Sequence, residues 1–345
     1  MKKLMRCASM LAAGTFGSWL ASGPLAADES MDFYAGKQLT FALGFAAGGG
    51  GYDLYARTFA RHYGRHVPGA PNVVVQNMPG GGGGMRAANY LYNVAARDGS
   101  VIGMFAGSTA FEPLFDRSQA KFETPKFTWI GNMDESTGTC ATWHTVPVTR
   151  FDDLFTQEIV FGASGAAGTS AQYPRMFKNL LGIKGKIVTG YTSTNEIILA
   201  MQRDEVHANC AMSLSVLKSQ WADLWKSGQL RVIVQLGRQK HPELPDAPHI
   251  FDYAKTDADR QALELVFGQH MLGRPIAAPP DLPVDRARAL RAAFMQTMSD
   301  AGFRADAQKA NLDLAPSSGE TVSALIAKFF SYSPEVIARA SEALK

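Results

Sequence analysis

The sequence predicts an α/β fold in two domains, each built on a parallel sheet flanked by helices. Three observations carry the α/β reading. Four short apolar runs each lead through a loop of small residues into a stretch with helical periodicity; two of these units fall in each half of the chain; and 345 residues suit two domains of ordinary size. An apolar fraction of 46% with 19% charged residues describes a folded chain with a sizeable core.

The first segment stands outside that fold. Lys2, Lys3 and Arg6 precede the apolar stretch LAAGTFGSWLA, and SGPLAADES closes it with small residues, the three parts of a secretory signal peptide. Residues 1–27 are therefore expected to be removed on export, since their apolar core falls short of the ~20 residues a spanning helix needs. Without them the chain carries 31 basic and 31 acidic side chains. A neutral chain without a basic patch offers no grip on nucleic acid or an anionic membrane. A small-molecule partner is expected, bound by a monomer.

The units follow in order. LTFALGFA, 39–46, reads as a strand entering the run Gly48–Gly51, after which Ala56, Phe59, Ala60 and Tyr63 share one helical face. Val73–Val75 form the next strand, Gly80–Gly84 its loop, and Ala87, Tyr90 and Leu91 the helix. In the second half, a strand at Ile159–Phe161 passes through GASGAAGTS into a helix. Ile187 and Val188 then pass through Thr192, Ser193 and Thr194 into a helix bearing Ile197, Ala200 and Met201. Open α/β sheets bind ligands at the carboxyl ends of their strands. The first N–H groups of a helix lack intrahelical partners and carry the positive end of the helix dipole, so they attract an anion, and small residues let it come close.

Several chemistries are disfavoured. The second strand ends in Gln76 and Asn77 rather than the acid that holds a ribose, and neither glycine run continues into the Lys-Ser/Thr of a phosphate loop. FGASGA places Ser164 in a near match to a nucleophile elbow, with Ala166 at the last glycine position; an exported hydrolase-like enzyme is thus the alternative function, and a solute sensor another. His62 and His66 lie four apart at the end of a helix and read as solvated. Cys140 and Cys210 are the two thiols left after export, open to a disulfide, to two free buried thiols, or to a zinc site with His144 and His207.

The ordered motifs GFAAGGGGYDLYAR, VVQNMPGGGG, RDGSVIG, GYTSTNEIILAM, DEVHANC, LPDAP and GRPIAAPPDLP resemble those of the periplasmic substrate-binding proteins of tripartite tricarboxylate transporters, the Bug or TctC-type receptors, over nearly the whole mature chain. The resemblance implies a two-lobed periplasmic-binding-protein (Venus-flytrap) fold, with a mixed, mainly parallel sheet flanked by helices in each lobe, that closes on an organic acid, usually a carboxylate, and delivers it to membrane transporter subunits, with no catalysis, cofactor or metal. By motif, the first lobe's contacts fall at Phe45, Ala46, Ala47, Gly48, Gly49 and Gly50, and at Gly80, Gly81, Gly82 and Gly83. Those of the second lobe fall at Gly165, Ala167, Gly168, Thr169 and Ser170, and at Tyr191, Thr192, Ser193 and Asn195. The second loop is all glycine where relatives have Gly-Ala-Gly-Gly, and His207 stands where an Asp is usual. Lobe I is expected over 28–142 and 268–345, and lobe II over 143–267, with Ala287, Leu290, Phe294 and Met298 lining a helix of lobe I after the return.

Overall fold

The structure, a computed structural model, describes residues 33–48, 51–81, 83–115, 118–163, 169–191, 194–237 and 239–345. The expected leader lies outside them. The chain runs β1 (Gln38–Leu43), α1 (Gly51–Tyr63), β2 (Asn72–Asn77), α2 (Met85–Asn93), β3 (Val101–Met104), α3 (Gly107–Phe115), β4 (Thr128–Asn132), β5 (Gly138–Trp143), β6 (Ile159–Ala163), α4 (Thr169–Met176), β7 (Gly185–Thr189) and α5 (Thr194–Gln202). It continues through β8 (Ala208–Ser213), α6 (Leu214–Gln220), α7 (Ala222–Lys226), β9 (Leu230–Leu236), α8 (Asp257–Phe267), β10 (Pro275–Ala278), α9 (Val284–Ser299), α10 (Ala301–Lys309), β11 (Ser317–Ser318), α11 (Gly319–Phe330) and α12 (Pro334–Ala343).

Each predicted unit forms. In β1, Leu39, Phe41, Ala42 and Leu43 are all buried, so both faces of the strand are covered, as an inner strand of a sheet between helices requires. Helix α1 buries Tyr55, Ala56, Phe59 and Tyr63, and places Asp53 in its first turn and Arg61 and His62 in its last, in keeping with the helix dipole. His62 and His66 are not solvated. His62 Nε2 lies 2.8 Å from Asp306 and His66 Nε2 lies 3.0 Å from Asp300, because α10, with Asp300 as its N-cap and Asp306 further along it, packs against the end of α1. In α9, Leu290, Phe294 and Met298 are buried on the expected stripe.

Two sheets result, in strand order β11-β4-β10-β3-β1-β2 and β7-β6-β8-β5-β9. They are mixed, with four of nine pairings parallel among the described residues, a smaller share than the mainly parallel sheets expected. The reason is how the chain changes sheets. It leaves the first after β4 and returns into it at β10, and both passages join the sheets at the carboxyl ends of the parallel strands. β10 therefore runs antiparallel to β3 and β4, and β5 antiparallel to β8. The strand β5, expected in lobe I, belongs to the second sheet, so the first passage occupies residues 133–137.

The two passages are bonded to each other. The Asn132 side chain, fully buried, donates to Asp134 O (2.7 Å) and Met271 O (3.1 Å) and accepts from the Arg274 amide (2.9 Å). Gly273 N donates to Asp134 O, and Ser136 N to His270 O, each at 2.9 Å.

Cys140 on β5 and Cys210 on the adjacent β8 are joined as a disulfide, closing a segment with a sequence separation of 70. A loop of that length constrains the unfolded chain by about 4 kcal/mol in the chain-entropy model. Reducing the purified protein should therefore lower its urea midpoint markedly. Equal midpoints with and without reductant, together with alkylation of both thiols in unreduced unfolded protein, would show that the bridge is absent in solution.

Candidate functional site

Where the two passages meet, the first turns of three helices converge. A cavity of about 140 Å³ is lined by Tyr52 of α1, by Ala106, Gly107 and Ser108 at the start of α3, by Thr169 and Tyr173 of α4, by Ser136 of the first passage, and by His270, Gly273 and Arg274 of the second. Both sheets and both passages contribute. A larger groove of about 550 Å³ shares Ser108, Thr169 and Gln269 with it and is walled by Phe111, Phe115, Leu265 and Val266.

Among the described residues, the only arginine or lysine on the cavity wall is Arg274. Its guanidinium lies 4.2 Å from the centre of the Tyr52 ring and 4.7 Å from that of Tyr55, so two aromatic rings hold it in place. Phe45 stacks on Tyr52 at 3.9 Å and 10°, extending the pile to the first loop. Arg274 Nη1 donates to the Gly273 carbonyl at 2.6 Å, whereas its buried Nε has no partner among the described residues. Nearby, Asp134 is only 6% exposed, and burial, partly offset by the Arg274 charge, pushes its carboxyl up to about 7.

A neutral hydrogen-bonded chain closes the wall. His270 lies 2.9 Å from the Tyr173 hydroxyl through Nε2 and 3.2 Å from Ser136 Oγ through Nδ1. Burial lowers the imidazole to about 4, so at neutral pH it relays a hydrogen bond between α4 and the first passage without adding charge. The cavity therefore combines a fixed cation, helix N-terminal amides and several hydroxyls, a donor set suited to an oxyanion.

The residues singled out in the sequence are distributed unevenly about this cavity. Thr169 lines it. Phe45 supports it through Tyr52, while Ala46, Ala47 and Gly48 form an exposed loop. The Gly48 amide donates to Asp53 at 3.0 Å, inside a network in which Asp53 also accepts from Arg57 and Asn77; these bonds hold its carboxyl near 2. Asn77, the end of β2, also donates to Phe45 O at 2.8 Å and so fixes the first loop. Gly80, Gly81 and Gly83 have positive φ and lie off the cavity wall. The second glycine run has a packing role: a Cβ on Gly44 would sit 2.5 Å from Gly84 Cα, so the two loops touch backbone to backbone. Ser170 is buried in the first turn of α4, Tyr191 is part-buried, and Asn195 is exposed. Gly49, Gly50, Gly82, Ser164, Gly165, Ala167, Gly168, Thr192 and Ser193 lie outside the described residues.

Sequence reasoning missed the fifth unit, β3 to α3. Its loop, Phe105–Gly107, contains one glycine rather than a run, yet VIGMFAGST has the same order of apolar strand, small residues and hydroxyls. It also missed Tyr52, Ser136, Tyr173, His270 and Arg274. With its sulfur bonded to Cys210, Cys140 is not a thiolate ligand, and His207 Nδ1 accepts from the Val160 amide at 3.0 Å. Among the described residues no cluster of three or more His, Cys, Asp or Glu is arranged to hold a metal, and no helix is long and apolar enough to cross a membrane.

Asp134 yields a signed expectation. Its carboxyl titrates higher in the folded chain than in the unfolded one, so its stabilising contribution is present at low pH and is lost as pH rises towards 7. Asp134→Asn should therefore stabilise the protein by an amount that grows from about pH 4 to pH 7 and then levels at about 4 kcal/mol or less. Urea titrations of both proteins across pH 4–8 test this; a difference independent of pH would contradict the burial of an ionising group there.

No family model matches the chain, and no curated protein matches it in sequence. Solved structures do match in shape. A TctC solute-binding protein from Polaromonas superposes with a TM-score of 0.69 at 17% identity, covering 90% of this chain and 98% of that one. The periplasmic binding protein BugD gives 0.59 at 18% identity, with 90% and 98% covered. An R. palustris protein solved with adipate gives 0.60 at 17% identity, with 88% and 97% covered. At such identities the likeness establishes the fold: this chain has the two-lobed α/β architecture of those solute-binding proteins.

Proposed function

We propose that the chain is a periplasmic solute receptor that captures a small organic acid between its lobes and delivers it to the membrane subunits of a tripartite tricarboxylate-type transporter. The observation that carries this reading is the cavity at the passages, where α1, α3 and α4 begin and Arg274 supplies a cation. The shared fold with a TctC protein and with the adipate-bound protein supports it. In this reading residues 1–27 direct export and are removed, the monomer binds, and the passages at 133–137 and 268–274 act as the hinge between lobe I and lobe II. Closure brings α4 towards α1 and α3 and excludes water, which strengthens each charge-assisted hydrogen bond to the bound carboxylate. The glycine loops 48–50 and 80–83 and the second-lobe residues 165–170 and 191–195 would then border the closed cleft.

The test begins with a thermal-shift screen of the mature protein against aliphatic, dicarboxylic, tricarboxylic and aromatic acids, followed by calorimetry with the acid that stabilises most. Ser108→Asp places a negative charge in the first turn of α3, where the helix dipole favours it, so the fold should hold. The same charge repels a bound carboxylate, and affinity should fall at least about tenfold. Ser164→Ala should bind within a few-fold of the parent. Turnover of an acid ester that is abolished by Ser164→Ala would support the hydrolase instead, and an unchanged affinity in folded Ser108→Asp protein would remove the cavity from the binding site.

A further inference from the structure

We propose that Arg274 anchors the ligand, its Nε–H donating to one carboxylate oxygen in the cavity at the passages, so that the receptor selects a carboxylate over its neutral amide. This deepens the receptor reading and rests on it for the identity of the ligand, though not for the presence of the anion site.

Four features single out this side chain. Arg274 lines a cavity shared by both sheets, and its Nε is buried without a partner among the described residues, whereas Nη1 is already engaged by the Gly273 carbonyl. A buried N–H left unbonded costs free energy, which a bound acceptor would recover. The guanidinium is packed against the rings of Tyr52 and Tyr55, and its Nη2 lies 3.2 Å from where a Cβ on Gly51 would stand, so little rotamer freedom remains to be lost on binding. Arg274 forms no ion pair among the described residues. Asp134, whose charge interacts with it, is held mostly protonated below about pH 7 by its burial, so there it does not cancel the guanidinium. Ser108 and Thr169, on the same wall, bring the first turns of α3 and α4 to the second carboxylate oxygen.

The position of Arg274 also couples binding to the hinge. Its backbone amide donates to Asn132 and its carbonyl accepts from Met133, so the anchored anion would pull on the bonds that join the two passages.

The experiment uses mature protein labelled with ¹⁵N-arginine, its Arg274 Nε–H signal assigned by its loss in Arg274→Lys. Acetate, the smallest carboxylate head, should shift that signal saturably, and acetamide should not. In parallel, thermal shift with adipate reports on capture of a larger acid. An Arg274 signal that ignores acetate, or that responds equally to acetamide, overturns the anchor; if adipate nevertheless stabilises the protein, the receptor reading survives without it. A signal that answers acetate while no organic acid stabilises the protein upholds the anion site and removes the receptor reading. For affinity, Arg274→Gln should weaken acetate binding about tenfold to a hundredfold, and Arg274→Lys less, since it keeps the charge. Circular dichroism confirms folding of each variant, and folded Arg274→Gln that binds acetate as the parent does would overturn the proposal.

Discussion

Everything at the centre of this molecule depends on how the two passages hold each other. Asn132 and the backbone pairs Gly273–Asp134 and Ser136–His270 bind residues that are about 140 positions apart in the chain. They do so at the carboxyl edges of both sheets. Because the chain changes sheets there, β5 and β10 run against their parallel neighbours, and the helices that follow β1, β3 and β6 all begin near the same point. The topology alone thus gathers several helix N-termini around one small space. A fold that changed sheets elsewhere would scatter them.

The electrostatics of that space follow from burial. His270 is held neutral and works as a spacer between Tyr173 and Ser136, while the raised Asp134 carboxyl does not cancel the nearby guanidinium below about pH 7. The opposite holds at the first loop, where Asp53 is kept ionised by Arg57, Asn77 and the Gly48 amide and acts as an internal staple. Acids of the same type thus take different roles in one chain. The difference is the presence or absence of donors around the carboxylate.

The strand–loop–helix units were legible in the sequence because their signals are local: an apolar run, small residues, then a helical stripe such as Ala56, Phe59 and Tyr63. The two-lobed fold followed from their repetition and from the ordered motifs. What the sequence did not show is what depends on distant pairing. Arg274 is one arginine among many until the fold lays it between Tyr52 and Tyr55, and His270 has no local partner pattern that would mark it. The glycine runs drew attention away from FAGST, whose single glycine begins α3 at the cavity, whereas Gly83 and Gly84 lie where loops press together. His62 and His66 looked free because Asp300 and Asp306 lie more than 230 residues further on.

The central claim is that an organic acid binds where the passages meet, its carboxylate held by groups from both sheets. A crystal structure grown with the acid that most stabilises the mature protein addresses this directly. The account predicts the carboxylate within hydrogen-bonding distance of Arg274 Nε and of the first turns at Ser108 and Thr169, with the two sheets drawn closer than without ligand. An acid bound away from the passages, with Arg274 Nε still unpartnered, would contradict it.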